Sequence, residues 1–317
     1  MTQREPQHQL GTPLSKIVPF FLPALLFLSV FFSVFSPMPL FAQAFRGRWA
    51  VVWGSLVSNI AVVALWGFYG AGGGSAQGAW IASTAVFGAI AVLSVVFLFL
   101  VLKARQSPEK AGAIALGTVG LLVGGALAWL VLVRGWSWEA WVGRELQPML
   151  DQLRTSSSEE ARTVVDSVDD LKKVVLKQLP SGFLGLGMVL LWANFLMMSR
   201  LFGARFYEQA RVVQNYFSTW KVSEYFVWPA IAAGALVVFS QGVWAVVGMN
   251  FLNVFFVLYG LQGLSCLTFL LDRWKIMGFP RVLIFVLAVW PMSMALVTAG
   301  FLDLWFDFRG KLVQSNS

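Results

Sequence analysis

Few residues inside the apolar stretches of this sequence could do chemistry. Asp303 lies near the end of the last stretch and Asp272 at the edge of another; no other Asp, Glu, Lys, Arg or His falls in the middle of one. Carboxylates buried in a membrane carry proton and ion coupling, so their scarcity argues against secondary active transport by such a group. The remaining polar residues are uncharged: Gln43, Asn59, Asn194, Asn250, Asn253 and Gln262. Each can hydrogen-bond across a helix interface for roughly 1 kcal/mol, and each is expected first as glue between helices. Asn59 and Asn194 are the candidates for lining a cavity. Asn250 and Asn253, at i and i+3, share a helix face, while Gln262, nine residues on, falls on roughly the opposite one. The three can line one cavity only if their helix is buried on both sides.

Catalytic constellations are largely excluded by count. The single histidine, His8, sits in a polar tail, and the single cysteine, Cys266, in an apolar run. No Ser–His–Asp set, Cys–His pair, His/Cys metal site or intrachain disulfide can be assembled from them within one chain. A membrane enzyme would have to draw on Glu208, Glu224, Asp272, Asp303 and Asp307, near the ends of the apolar runs. The glycine-rich Gly70–Ser75 lacks a following Lys-Ser/Thr and reads as a turn. The expectation is a protein with no catalytic residues, no metal and no cofactor.

The elements that carry these residues follow from composition. Of 317 residues, 58% are hydrophobic and 12% charged, with a mean hydropathy of +0.73. A soluble domain carries roughly 25% charge. A cytosolic globular protein, a disordered chain and a nucleic-acid-binding domain are ruled out. The net charge of +8 sits mostly in short loops, where Lys and Arg orient membrane helices. Tryptophans near run ends, such as Trp49, Trp136, Trp274 and Trp305, read as an interfacial belt.

Eight runs approach the ~20 apolar residues that cross a bilayer: about Ile17–Phe35, Trp49–Phe68, Ala79–Leu102, Ala111–Val133, Gly182–Phe202, Tyr225–Val247, Met249–Leu271 and Val282–Trp305. None alternates with period two, so helices are expected. Small-residue pairs such as Ala111 with Ala115 and Gly120 with Gly124 suit close packing within the chain. Pro37 and Pro39 cannot sit inside a continuous helix but suit the first turn of a new one. Pro37–Phe45 is therefore expected as a short half-span returning toward Arg46 and Arg48. Ala42-Gln43-Ala44 resembles a signal-peptidase site, but the basic region before it is thin and many spans follow, so the segment is expected to be retained.

Twelve Lys and Arg fall in alternate loops, after the half-span and after the third, fifth and seventh runs. This places the N-terminus in the cytoplasm, and 134–180 and the C-terminal tail outside. The 134–180 segment is nearly neutral, with 7 basic and 8 acidic residues. Val142, Leu146, Met149, Leu150 and Leu153, then Val164, Val168, Leu171 and Val175, repeat at helical spacing. Ser156 with Glu159, or Ser157 with Glu160, forms a capping-box signature for the second stripe. An external amphipathic hairpin is expected.

Several local patterns, taken in order, resemble one family. They are Ser36-Pro37-Met38-Pro39-Leu40 before Arg46-Gly47; Leu179-Pro180-Ser181-Gly182; Trp220-Lys221-Val222 with Trp228-Pro229; Asn250-Phe251-Leu252 through Gln262-Gly263; and Gly300-Phe301-Leu302-Asp303 before Phe306-Asp307-Phe308-Arg309. They resemble the YybS-like predicted membrane proteins of bacteria, whose N-terminal part is similar to the substrate-binding S components of energy-coupling-factor vitamin transporters. That resemblance implies a bundle in the cytoplasmic membrane that binds a small molecule, and a set of motif residues comprising Pro37, Pro39, Pro180, Trp220, Pro229, Gln262 and Asp303. The first span, Val18-Pro19-Phe20-Phe21-Leu22-Pro23-Ala24-Leu25, lacks the Ala-x-x-x-Ala pair with which S components pack on their transducer.

The expected fold is all-α: a polytopic membrane bundle of about eight full spans plus the half-span. It divides into a tail (1–16), an N-terminal bundle (17–133), the hairpin (134–180), a C-terminal bundle (181–306) and a polar tail (307–317). The expected partners are the lipid bilayer, a small-molecule ligand and a membrane protein, with no nucleic acid. A scaffold that docks a partner through 134–180 is the rival to ligand binding.

Overall fold

The computed structural model describes residues 17–29, 32–70, 76–135, 177–198, 201, 217–289 and 291–314. Among them every regular element is a helix. Most of the expected 134–180 hairpin, residues 1–16 and Glu208 lie outside the described residues. The chain forms two compact units, Met1–Val119 and Gly120–Ser317.

In the N-terminal unit the first apolar run is not the single span expected over Ile17–Phe35. It breaks into a 3-10 turn (Val18–Phe20), helix α1 (Leu22–Leu28) and a second 3-10 turn (Ser33–Phe35). Pro19 and Pro23 cause the first break: neither has an N–H to donate, and each sits in the opening turn of the element it starts. Seven residues of α1 rise only about 10 Å. The proline-led helix is present as α2 (Met38–Phe45), with Pro37 as its N-cap and Pro39 in its first turn. Gly47, at φ +72°, turns the chain into α3 (Trp49–Gly70); α4 (Ala76–Leu102) follows. Phe41 against Phe97 and Phe27 against Phe87 pack α2 and α1 onto α4. Helix α5 (Pro108–Arg134) covers the run expected over Ala111–Val133 and runs from the first unit into the second, which begins at Gly120.

The C-terminal unit holds α6 (Lys177–Met198), α7 (Val227–Phe239), α8 (Val243–Arg273), α9 (Phe279–Val289), α10 (Ser293–Phe306) and α11 (Phe308–Gln314). Two expected boundaries are corrected. The runs expected over Tyr225–Val247 and Met249–Leu271, with a turn at Gly248, divide instead at Gly242, whose φ is +63°. Gly248 lies inside α8 because α7 crosses there. A methyl group at that position would come within 2.8 Å of the Ala233 carbonyl oxygen. Thirteen residues of α7 are then too few to cross ~30 Å alone. The run expected over Val282–Trp305 is likewise two helices, α9 and α10, with Pro291 at the break.

Four described helices are long and apolar enough to cross a membrane: Trp49–Tyr69, Ser83–Leu102, Lys177–Met198 and Val243–Arg273. The α9–α10 pair makes a fifth if it counts as one broken span.

Candidate functional site

The residues singled out by sequence separate into four places. The first is a clamp in the N-terminal unit. Asn59, on α3, accepts the Ala24 N–H at 2.9 Å. It donates through Nδ2 to the carbonyls of Ser55 (2.7 Å) and Pro19 (3.3 Å) and to Ser55 Oγ (3.0 Å). The Ser55 hydroxyl also donates to the Pro19 carbonyl, and Ser58 to that of Phe20. The proline-broken segment leaves backbone groups without helical partners, and in lipid such groups must be satisfied by neighbours. Asn59, expected as a cavity-lining candidate, spends its amide on this repair.

The second place is α2 and the turn leading into it. Ser36, just after the second 3-10 turn, and Gln43, on α2, are both buried. Ser36 Oγ and Gln43 Oε1 have no hydrogen-bond partner among the described residues. An unsatisfied buried polar group costs about 1–3 kcal/mol.

The third place joins α6 and α8. Asn250 accepts the Ser181 N–H at 3.0 Å and donates to the Lys177 carbonyl at 2.7 Å; Asn253 donates to Ser181 Oγ at 3.1 Å. The pair ties α8 to the opening turns of α6, where Pro180 lies. Asn194 is buried on α6 and donates to the Leu190 carbonyl at 2.9 Å.

The fourth place is ionic and lies further along α8. Asp303, fully buried on α10, pairs with Arg309 on α11, whose side chain is 7% exposed. Arg309 donates to Asp303 Oδ2 through Nη2 (2.6 Å) and Nε (3.1 Å). Its Nη1 reaches the Ser218 and Trp220 carbonyls (2.9 Å each) and Ser265 Oγ (2.7 Å). Gln262 links the cluster to the chain before α7, accepting the Val222 N–H at 3.0 Å and donating to Asp303 Oδ2 at 3.2 Å. Ser265 donates to the carbonyls of Phe217 (2.5 Å) and Trp220 (3.0 Å). The Trp220 ring packs on Trp192, with centroids 5.2 Å apart. The cluster thus pins 217–222, α8, α10 and α11 together. Gln262 is buried, while Asn253, nine residues earlier on the opposite side of α8, is half-buried against α6.

Close backbone approach makes this possible. At Gly263 an added methyl would collide with the Leu296 carbonyl, and at Gly300 with that of Tyr259. Two glycines let α8 and α10 cross backbone to backbone.

Sequence reasoning missed Arg309 as a site residue, because it falls in the segment expected as a polar tail. The signal was its spacing, six residues after Asp303. Other carboxylates near the helix ends are also engaged: Asp272 with Arg281 at 2.5 Å, and Asp307 with Lys221. The Lys221 ammonium, chiefly by its hydrogen bond, holds the exposed Asp307 carboxyl below the ordinary carboxylate range. Among the described residues, no group of three or more His, Cys, Asp or Glu could hold a metal ion. Pro229 sits in the first turn of α7.

Helices of this length and apolarity, with interior charge held in an ion pair, define a helical membrane protein. A family profile matches residues 17–304, and the chain belongs to that family, described as predicted membrane protein (DUF2232). No curated protein and no solved structure matches it.

Proposed function

We propose that the protein is a non-enzymatic, multi-pass membrane protein that binds a small molecule in its N-terminal unit. The observation that carries this reading is the pair of buried oxygens at α2 and the turn before it, Gln43 Oε1 and Ser36 Oγ, with no described partner. Two buried acceptors, one on a short proline-led helix and one in the turn before it, suit a ligand that donates hydrogen bonds. The likeness of this part of the chain to S components points the same way. The full reading has about eight spans in a bacterial cytoplasmic membrane, a cytoplasmic N-terminus, a YybS-like ancestry and a role in transport. The non-enzymatic part is supported by the ion pairs that hold the carboxylates of Asp272, Asp303 and Asp307 against basic side chains.

Native mass spectrometry of the gently solubilised protein tests it. A stoichiometric small molecule, lost in Ser36→Ala/Gln43→Leu but kept in Asn59→Ser, is the expected result. Retention unchanged by the double substitution contradicts the assignment. The second reading, a scaffold that docks a protein through 134–180, is favoured by the near-neutral charge of that segment. Deleting 137–179 should then remove a co-purifying partner while the spans still insert.

A further inference from the structure

A groove of about 370 Å³ opens in the C-terminal unit, lined by Glu224, Val227, Trp228, Ile231, Leu304 and Trp305. Glu224 belongs to the 3-10 turn leading into α7; the others come from the opening turns of α7 and the last turn of α10. The groove therefore lies where two apolar helices reach their polar ends, beside the exposed Lys221–Asp307 pair. Its chemistry is lopsided: one carboxylate, two largely exposed indoles and an aliphatic floor. Among the described residues Glu224 has no ion-pair partner, and Lys221, three residues away, is held by Asp307.

We propose that this groove binds the ammonium headgroup of a phospholipid. A carboxylate supplies the counter-charge, and tryptophan faces attract organic cations, most strongly once water is displaced. The last turn of α10 adds the partial negative charge of a helix C-terminus. A bare metal ion would need several oxygen ligands, whereas the groove offers one carboxylate. Its volume falls in the range of small-molecule sites. From Trp228 an exposed apolar stripe runs along α7 through Ile231, Ala235 and Val238, at i, i+3, i+7 and i+10. That stripe gives the acyl chains a path into the bilayer. The groove belongs to the C-terminal unit, so this inference does not rest on ligand binding at Ser36 and Gln43.

The test uses the full chain in detergent, titrated with phosphatidylethanolamine or phosphatidylglycerol of identical acyl chains and read by native mass spectrometry. Phosphatidylethanolamine should be retained about tenfold more tightly, the scale of one desolvated cation–π contact. Glu224→Gln, an isosteric change at an exposed position, should remove the preference, and Glu224→Asp should keep most of it. Trp305→Leu should weaken it. Equal retention of the two lipids by the unaltered chain overturns the proposal, as does a preference that survives Glu224→Gln. Saturable binding of free ethanolamine without any lipid preference would move the site to a soluble amine and overturn the lipid assignment.

Discussion

The two units solve one problem, an interrupted helix in an apolar surrounding, by different means. In the N-terminal unit, prolines interrupt the first run, and neutral side chains on α3 repair the exposed backbone: Asn59, Ser55 and Ser58 bond to Pro19, Phe20 and Ala24. In the C-terminal unit the 217–222 stretch, where a helix ends ahead of α7, is held by a guanidinium, itself neutralised by Asp303 and steadied by Gln262 and Ser265. Neutral repair is local and tolerant, because each lost bond costs little. Ionic repair joins four segments at one point, and removing either charge strands the other in the interior.

The sharpest way to break this contrast is Arg309→Met. It leaves Asp303 buried without a counter-charge and should cost about 3–5 kcal/mol. Thermal unfolding in detergent checks it, and Asp303→Asn combined with Arg309→Met should cost clearly less than the two single changes added. Next comes Gly300→Ala, which drives a methyl into the Tyr259 carbonyl. Overpacking of this kind costs about 1–3 kcal/mol, and the same substitution at Gly117, with open space around it, should be near neutral. Asn59→Leu should cost about 1–3 kcal/mol, since it orphans the Ala24 N–H and weakens the hold on Pro19. Limited proteolysis should then show loosening confined to the N-terminal unit.

The smallest effect is at Lys221–Asp307. The folded carboxyl lies below its ordinary value, so its contribution is present above the unfolded carboxylate pKa and fades as pH falls through the lowered one. For an exposed pair this is about 0.5 kcal/mol or less, and Lys221→Met should flatten the acid side of the stability profile.

Legibility in the sequence followed the range of each interaction. Apolar runs and the Pro37–Pro39 start are local, and α2, α3, α4 and α6 lie close to where they were expected. Pro19 and Pro23 were equally visible, but the hydrophobicity of Ile17–Phe35 outweighed them. The run boundary at Gly248 was misplaced because a glycine that permits helix crossing looks like one that turns the chain. Only a partner helix, not local sequence, tells Gly248 from Gly242. The opposite faces of Asn253 and Gln262 are legible from spacing alone. The Asp303–Arg309 pair was not, because it depends on the left-handed turn at Asp307 (φ +44°) that folds α11 back.

Amide hydrogen exchange on Asp303→Asn, in lipid nanodiscs, tests most directly whether one ionic cluster holds the C-terminal unit. The account predicts faster exchange at 217–222 and 308–314, with 17–45 unchanged from the unaltered protein. Unaltered protection at 217–222 and 308–314 would contradict it.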